Sequence, residues 1–266
     1  MSKLDASYNW RGKKIKYSVW SNGELGKAVH FILYLGSLQT GIIPKIVLRQ
    51  CPPHTIVVQG APHWRASKSG DDIPEFMRIF SEEAYAFIAR RFVLEKPHII
   101  AESQAAPGAV VLGVNKQLDA LTLMQPLGLN PQVYSRAYTE NTRELNKRIK
   151  ANLHHQLPTL FNDSGQLFNF LQITGRYQWE NVRGRAHNQY GSGLGFDVTP
   201  LLKRYKGTVT IVVGENDRVF PPHEYVSSIR KLSNIHIVTV PDAPHSSLLS
   251  KPGKVLLKTA FDLALA

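Results

Sequence analysis

Cysteine is almost missing. The 266 residues contain one, Cys51, which excludes a disulfide framework and any cysteine-built metal site and fits a reducing, cytoplasmic setting. Long apolar runs are missing too. The longest, "AVHFILYLG", is far too short to cross a bilayer, and the first residues, "MSKLDASYNWRGKK", carry no apolar signal core. A soluble protein without a membrane span is expected. Walker, dinucleotide and metal-ligand spacings do not occur, so no cofactor and no metal are expected. Internal repeats and low-complexity tracts are also absent, which sets aside solenoids and disordered chains.

Acidic residues are scarce relative to basic ones: 20 Asp and Glu face 32 Lys and Arg, for a formal charge of +12. Between Asn130 and Lys206 there are 11 Lys and Arg against 5 Asp and Glu, so that segment supplies +6 of the excess. No helix-turn-helix, zinc-finger or RNA-binding aromatic motif accompanies the charge, nor any long basic run. Solvated basic faces are therefore expected, with no nucleic acid as partner.

What is present is alternation. "KKIKYSVWSNG" reads as an early hairpin strand ending in a turn. "AVHFILYLG" (Ala28–Gly36) and "HTIVVQG" (His54–Gly60) read as buried central strands. From Pro74 to Phe92, residues Phe76, Met77, Phe80, Ala84, Phe87 and Ile88 fall at helical spacing, with Asp71 and Asp72 just ahead, where anions favour a helix start. "HIIAES" and "DALTLMQPLG" (Asp119–Gly128) are two more strands. From 129 to 205 the chain turns polar and helical, with Tyr138, Leu145, Ile149 and Leu153 on one face and "QYGSGLG" near its end. The strand pattern resumes in "GTVTIVVGENDRVFPP" and "IHIVTVPDAPH", and a last helix starts near Pro252. Strands and helices in turn imply an α/β fold whose largely parallel sheet is covered on both faces. The expected division is a core of residues 1–128 and 206–266 with an insertion of 129–205.

Within "HIIAESQAAPGAVVLGV", Ser103 stands where an apolar strand ends, and Ala101 and Ala105 flank it two residues away on each side. Small residues at those places suit a very tight turn from strand to helix, and Pro107 is tolerated in the first helical turn. Asp217 follows the strand of "TIVVGENDRVFPP", and His245 follows that of "IHIVTVPDAPHSSLL". Each alone has an ordinary explanation as a turn, cap or surface residue. Together they run Ser, Asp, His, each at a strand end, where sheets of this class gather their functional groups.

That constellation resembles the α/β-hydrolase superfamily, in its esterase- and lactonase-like serine-hydrolase branch, along nearly the whole chain. "AESQA" is similar to the family's nucleophile elbow with alanines for glycines. "GENDRVFPP" is similar to its acid loop, and "PDAPHSSLLSKP" to its histidine loop. The resemblance implies a mostly parallel sheet of about eight strands with helices on both faces, and a helical cap at 129–205 between the sixth and seventh strands. Ser103 would be the nucleophile, His245 the base and then acid, and Asp217 the carboxylate that orients it, because a hydroxyl is a weak nucleophile until an oriented imidazole takes its proton. The oxyanion donors would be the backbone N–H of Gln104 and that of Ser37 or Leu38. Two stretches depart from the family: "YLGSLQTG" stands where His-Gly is usual, and "QGAPHWRAS" replaces the usual glycine-rich pattern after the fourth strand.

The implied activity is hydrolysis of a small-molecule substrate, a small carboxylic ester or lactone, through an acyl-enzyme. The same triad also serves thioesterases, C–C bond hydrolases and hydroxynitrile lyases, and a ligand receptor can retain it. Cys51, ahead of a Pro-Pro pair, is read as structural. The adjacent His154 and His155 point apart on a helix and make a poor metal pair. His63 and Trp64 are candidate pocket residues, and Tyr177, Trp179 and Tyr190 are read mainly as cap packing.

Overall fold

A hairpin leads the chain. In the computed structural model, β1 (Ser2–Trp10) and β2 (Lys13–Ser21) pair antiparallel, and Arg11 and Gly12 turn the corner with φ of 44° and 76°. Positive values at both turn residues match the twist of the flanking strands. The structure describes residues 1–35, 42–59, 73–116, 118–129, 143–144, 147–152, 154–155, 197–245 and 251–265. The sequence pattern names β2 but not β1. Along β1 the inward residues Leu4 and Ala6 are only half-buried, and Tyr8 and Trp10 alone reach the core.

The remaining strands are β3 (Ala28–Leu35), β4 (Thr55–Gln59), β5 (Val93–Glu102), β6 (Ala120–Met124), β7 (Thr208–Gly214) and β8 (Ile235–Val240). They complete one eight-stranded sheet in the order β1-β2-β4-β3-β5-β6-β7-β8. The first two pairings are antiparallel and all the others parallel. Two strand ends differ from the sequence pattern. β5 starts at Val93, five residues before the apolar run, because Glu95 and Lys96 hide its beginning. β6 stops at Met124, since Gln125 takes a φ of 47° and leaves the sheet.

Side chains of the parallel strands alternate between two cores, as the pleat requires. Ile32, Tyr34, Ile56, Val58, Ile99, Leu121, Leu123, Val209 and Ile211 face one side. Phe31, Leu33, Val57, Ile100, Met124 and Val212 face the other. The first side is covered by α2 (Ile73–Ala89), α3 (Ala106–Lys116), α4 (Thr199–Arg204) and α5 (Val226–Ile229). The second is covered by α1 (Ile42–Leu48) and α6 (Lys251–Leu265). α3 lies so near the sheet that a Cβ on Gly113 would stand 2.7 Å from Leu121 Cδ1. α2 ends at Ala89, three residues before the sequence pattern does, and Asp71 and Asp72 lie outside the described residues.

Of the segment 129–205, the described residues 143–144, 147–152 and 154–155 are helical, and Ile149 packs against the first core. Leu153, Leu145 and Tyr138 lie outside the described residues. Val198, Leu202 and Tyr205 are buried in the first core, so the layer covering the sheet resumes before β7, earlier than the pattern break at 206 suggests. No described helix is long and apolar enough to cross a membrane.

Candidate active site

The carboxyl ends of β5, β7 and β8 converge. At the end of β5 the chain passes from extended Glu102 (φ −105°, ψ 133°) through Ser103, at φ 52°, into a 3₁₀ turn over Ser103–Ala105 and then α3. A left-handed backbone costs a residue with a Cβ about 1–2 kcal/mol. Two hydrogen bonds hold it there: the Ser103 carbonyl accepts from the N–H of Leu127 at 3.1 Å and from that of Ala106. Ala101 and Ala106, on the strand and helix beside the bend, have no exposed surface.

Asp217 sits in the turn after β7, where its N–H donates to the Gly214 carbonyl at 3.1 Å. Its Oδ1 accepts the N–H groups of Val219 and Phe220, both at 2.8 Å. One carboxylate oxygen is thereby committed to its own loop, and the other, Oδ2, lies 2.8 Å from His245 Nδ1. The Asp217 side chain has no exposed surface. His245 Nε2 stands 3.1 Å from Ser103 Oγ. A carboxylate can only accept, so Nδ1 carries the proton, and in the neutral ring Nε2 accepts from the serine hydroxyl. The three sequence candidates thus form one hydrogen-bonded row.

Burial pulls the imidazole toward its neutral form. The charge of Asp217, the hydrogen bond the ring donates to Asp217 and the charge of Glu102 act the other way, and the result lies above the ordinary histidine value. Phe220 meets the ring edge-on with centroids 5.0 Å apart.

Residues absent from the sequence candidates shape the surroundings. Gln125 is fully buried, and its Nε2 donates to the Pro244 carbonyl; its Oε1 has no partner among the described residues. Asn152, on the helical stretch between β6 and α4, is buried and accepts the His245 backbone N–H through Oδ1 at 3.4 Å. One turn earlier, Arg148 donates to both carboxylate oxygens of Glu224, at 3.0 and 2.9 Å, and to Glu144 at 3.0 Å. A polar residue directly after the apolar run "LTLM" was the available signal for Gln125. Asn152 left none, because nothing in a helical pattern says which polar residue turns toward a distant loop.

Gln104 occupies the second position of the turn leading into α3, an 11-residue helix. Ser37 and Leu38 lie outside the described residues, as do His63, Trp64, Tyr177, Trp179 and Tyr190. His154 and His155 are exposed, and among the described residues no three His, Cys, Asp or Glu are grouped to hold a metal ion. Cys51 is half-buried, and burial pushes its thiol up to about 12, far from the range of a reactive thiolate.

No family model matches the chain, and no curated protein matches it. Solved structures do. An α/β-hydrolase enzyme from a Medee basin deep-sea metagenome library superposes with a TM-score of 0.65 at 14% identity, over 97% of each chain. The chain has the α/β-hydrolase fold. A probable hydrolytic enzyme from Pseudomonas aeruginosa PAO1 gives a TM-score of 0.65 at 16% identity, over 100% of this chain and 94% of that one. A serine hydrolase involved in carbazole degradation gives 0.61 at 16% identity, over 100% of both. In this α/β-hydrolase fold the serine, aspartate and histidine all lie on the side where the parallel strands end.

Proposed function

We propose that the protein is a serine hydrolase acting on a small carboxylic ester or lactone. The observation that carries this reading is the continuous row from Ser103 Oγ to His245 Nε2 at 3.1 Å and from His245 Nδ1 to a fully buried Asp217 at 2.8 Å. The serine hydrolase among the similar structures supports it.

In this reading His245 takes the Ser103 proton as the oxygen attacks the acyl carbon. Asp217 holds the proton on Nδ1 and stabilises the imidazolium that forms. The tetrahedral oxyanion is met by the Gln104 N–H at the start of the turn into α3 and by that of Ser37 or Leu38. His245 then protonates the leaving alkoxide, giving an acyl-Ser103 ester and an alcohol; in a lactone the two stay joined. Water, deprotonated by the same imidazole, attacks the acyl carbon, and its proton returns through His245 to Ser103 as the acid leaves. The segment 129–205, apart from α4, is the proposed cap over the strand ends.

A fluorophosphonate is expected to label Ser103, and chromogenic short esters or lactones to turn over without added metal. Ser103→Ala is expected to remove the labelling and several orders of magnitude of rate, leaving what the oxyanion donors supply (roughly 10³-fold over water). A folded wild-type protein that neither labels nor turns over any ester, lactone or thioester would overturn the proposal.

A further inference from the structure

The carbonyl of Pro244 and the N–H of His245 are the two polar groups of a single peptide plane. Gln125 Nε2 donates to the carbonyl from the end of β6, and Asn152 Oδ1 accepts the N–H from the insertion helix at 3.4 Å. Both side chains are buried, with Gln125 at 0% and Asn152 at 5% exposure. Gln125 is also aimed by its own backbone: a φ of 47° turns it out of the sheet while its N–H still donates to the Val212 carbonyl of β7 at 2.9 Å. A buried glutamine whose Oε1 goes unpaired among the described residues is an expensive way to fill space. A methionine would fill it without a stranded acceptor.

We propose that Gln125 and Asn152 are positioning residues for His245: by gripping the Pro244–His245 peptide at both ends they fix the direction in which the imidazole leaves the backbone, toward Ser103 on one side and Asp217 on the other. Holding a peptide plane at its oxygen and its nitrogen sets ψ of the residue before it and φ of the residue after it, and with them the Cα–Cβ vector of His245. The row of distances through Nε2 and Nδ1 leaves little tolerance, because a displacement near 1 Å at a catalytic group costs about 10²-fold in rate. One grip comes from the core and the other from the insertion, so the insertion contributes to alignment of the histidine as well as to cover.

The inference rests on the proposed hydrolase reading for its effect on rate, though its effect on the imidazole can be read without turnover. The charges acting on the ring are Asp217 and Glu102. From the insertion helix comes Arg148, which is paired with Glu224 and Glu144. Gln125→Met and Asn152→Leu leave all of these charges in place, so a changed titration reports geometry. Asn152→Asp keeps the acceptor.

For each variant three quantities are measured: the melting temperature, the pH dependence of Ser103 labelling by a fluorophosphonate, and the His245 titration by its imidazole proton NMR signal. Gln125→Met and Asn152→Leu are expected to fold, to lose about 10-fold or more in kcat and labelling rate with KM little changed, and to titrate at lower pH as the contact with Asp217 loosens. Asn152→Asp is expected to recover most of the rate. If both apolar variants fold and keep the wild-type titration and labelling rate, the inference is overturned. A wild type that does not label while its variants still shift the titration overturns the hydrolase reading and leaves the positioning role standing.

Discussion

Asp217→Asn tests the logic of the row most directly, because the loop dictates how the new amide must sit. The carbonyl oxygen of an asparagine here is claimed by the N–H groups of Val219 and Phe220, each 2.8 Å from Oδ1. Turning the amide over would orphan both buried donors, at about 1–3 kcal/mol each. The amide NH₂ therefore faces His245 Nδ1, which must now accept. The ring proton moves to Nε2 and points at Ser103 Oγ, where a lone pair is needed. The variant keeps its shape and loses its base. The expected loss is about four orders of magnitude in kcat at neutral pH, near 5.5 kcal/mol of transition-state stabilisation. Initial rates on a chromogenic ester measure it, and ¹⁵N NMR of the imidazole reads the tautomer, with the proton on Nδ1 in wild type and on Nε2 in the variant. A variant within 10-fold of wild type, or one with Nδ1 still protonated, refutes the reasoning.

Two further outcomes are expected. A Cβ at Gly214 would collide with the backbone carbonyl of Ala243 and stand 2.8 Å from Gln125 Nε2, so Gly214→Ala should displace the histidine loop and lower labelling at least 10-fold, while β7 and β8 stay paired by circular dichroism. Burial pulls His98 down to about 4, so the unfolded chain takes up this proton before the folded one does. Its contribution is complete above the ordinary value of 6.5 and is lost as pH falls toward 4, by at most about 3 kcal/mol. His98→Gln, which can keep the hydrogen bond to Thr122, should flatten the acid side of the urea-denaturation profile. An unchanged slope would show that His98 is charged in the fold. His245 acts in the opposite window: its raised value adds stability that is present below the unfolded value and lost as pH rises through the folded one.

The parallel sheet was legible because its inner strands are apolar on both faces and its strands end in recognisable turns, as in "TIVVGEN" and "IHIVTVPD". The same ends made Ser103, Asp217 and His245 candidates. β1 was not legible, because of its four inward residues only Tyr8 and Trp10 are buried, while Leu4 and the small Ala6 stay half-exposed among polar and charged neighbours. Gln125 and Asn152 escaped for a different reason. Their work lies in single hydrogen bonds to a loop 119 and 93 residues away, and local periodicity carries no trace of such a partner. Backbone geometry was equally silent at Ser103: small neighbours suggest a tight turn, but only coordinates give the left-handed φ.

The sequence distance across the serine–histidine contact has a consequence for how the molecule matures. Ser103 and His245 are 142 residues apart, and three parallel pairings separate their strands, β5 to β6, β6 to β7 and β7 to β8. Parallel pairings close long loops before any contact repays them, and they form slowly. The elbow takes shape locally once β5 meets α3, yet the hydroxyl has no imidazole beside it until the far edge of the sheet has docked. On the proposed reading, a nascent or half-folded chain therefore carries an inert serine, and its reactivity switches on only when β6, β7 and β8 have joined β5.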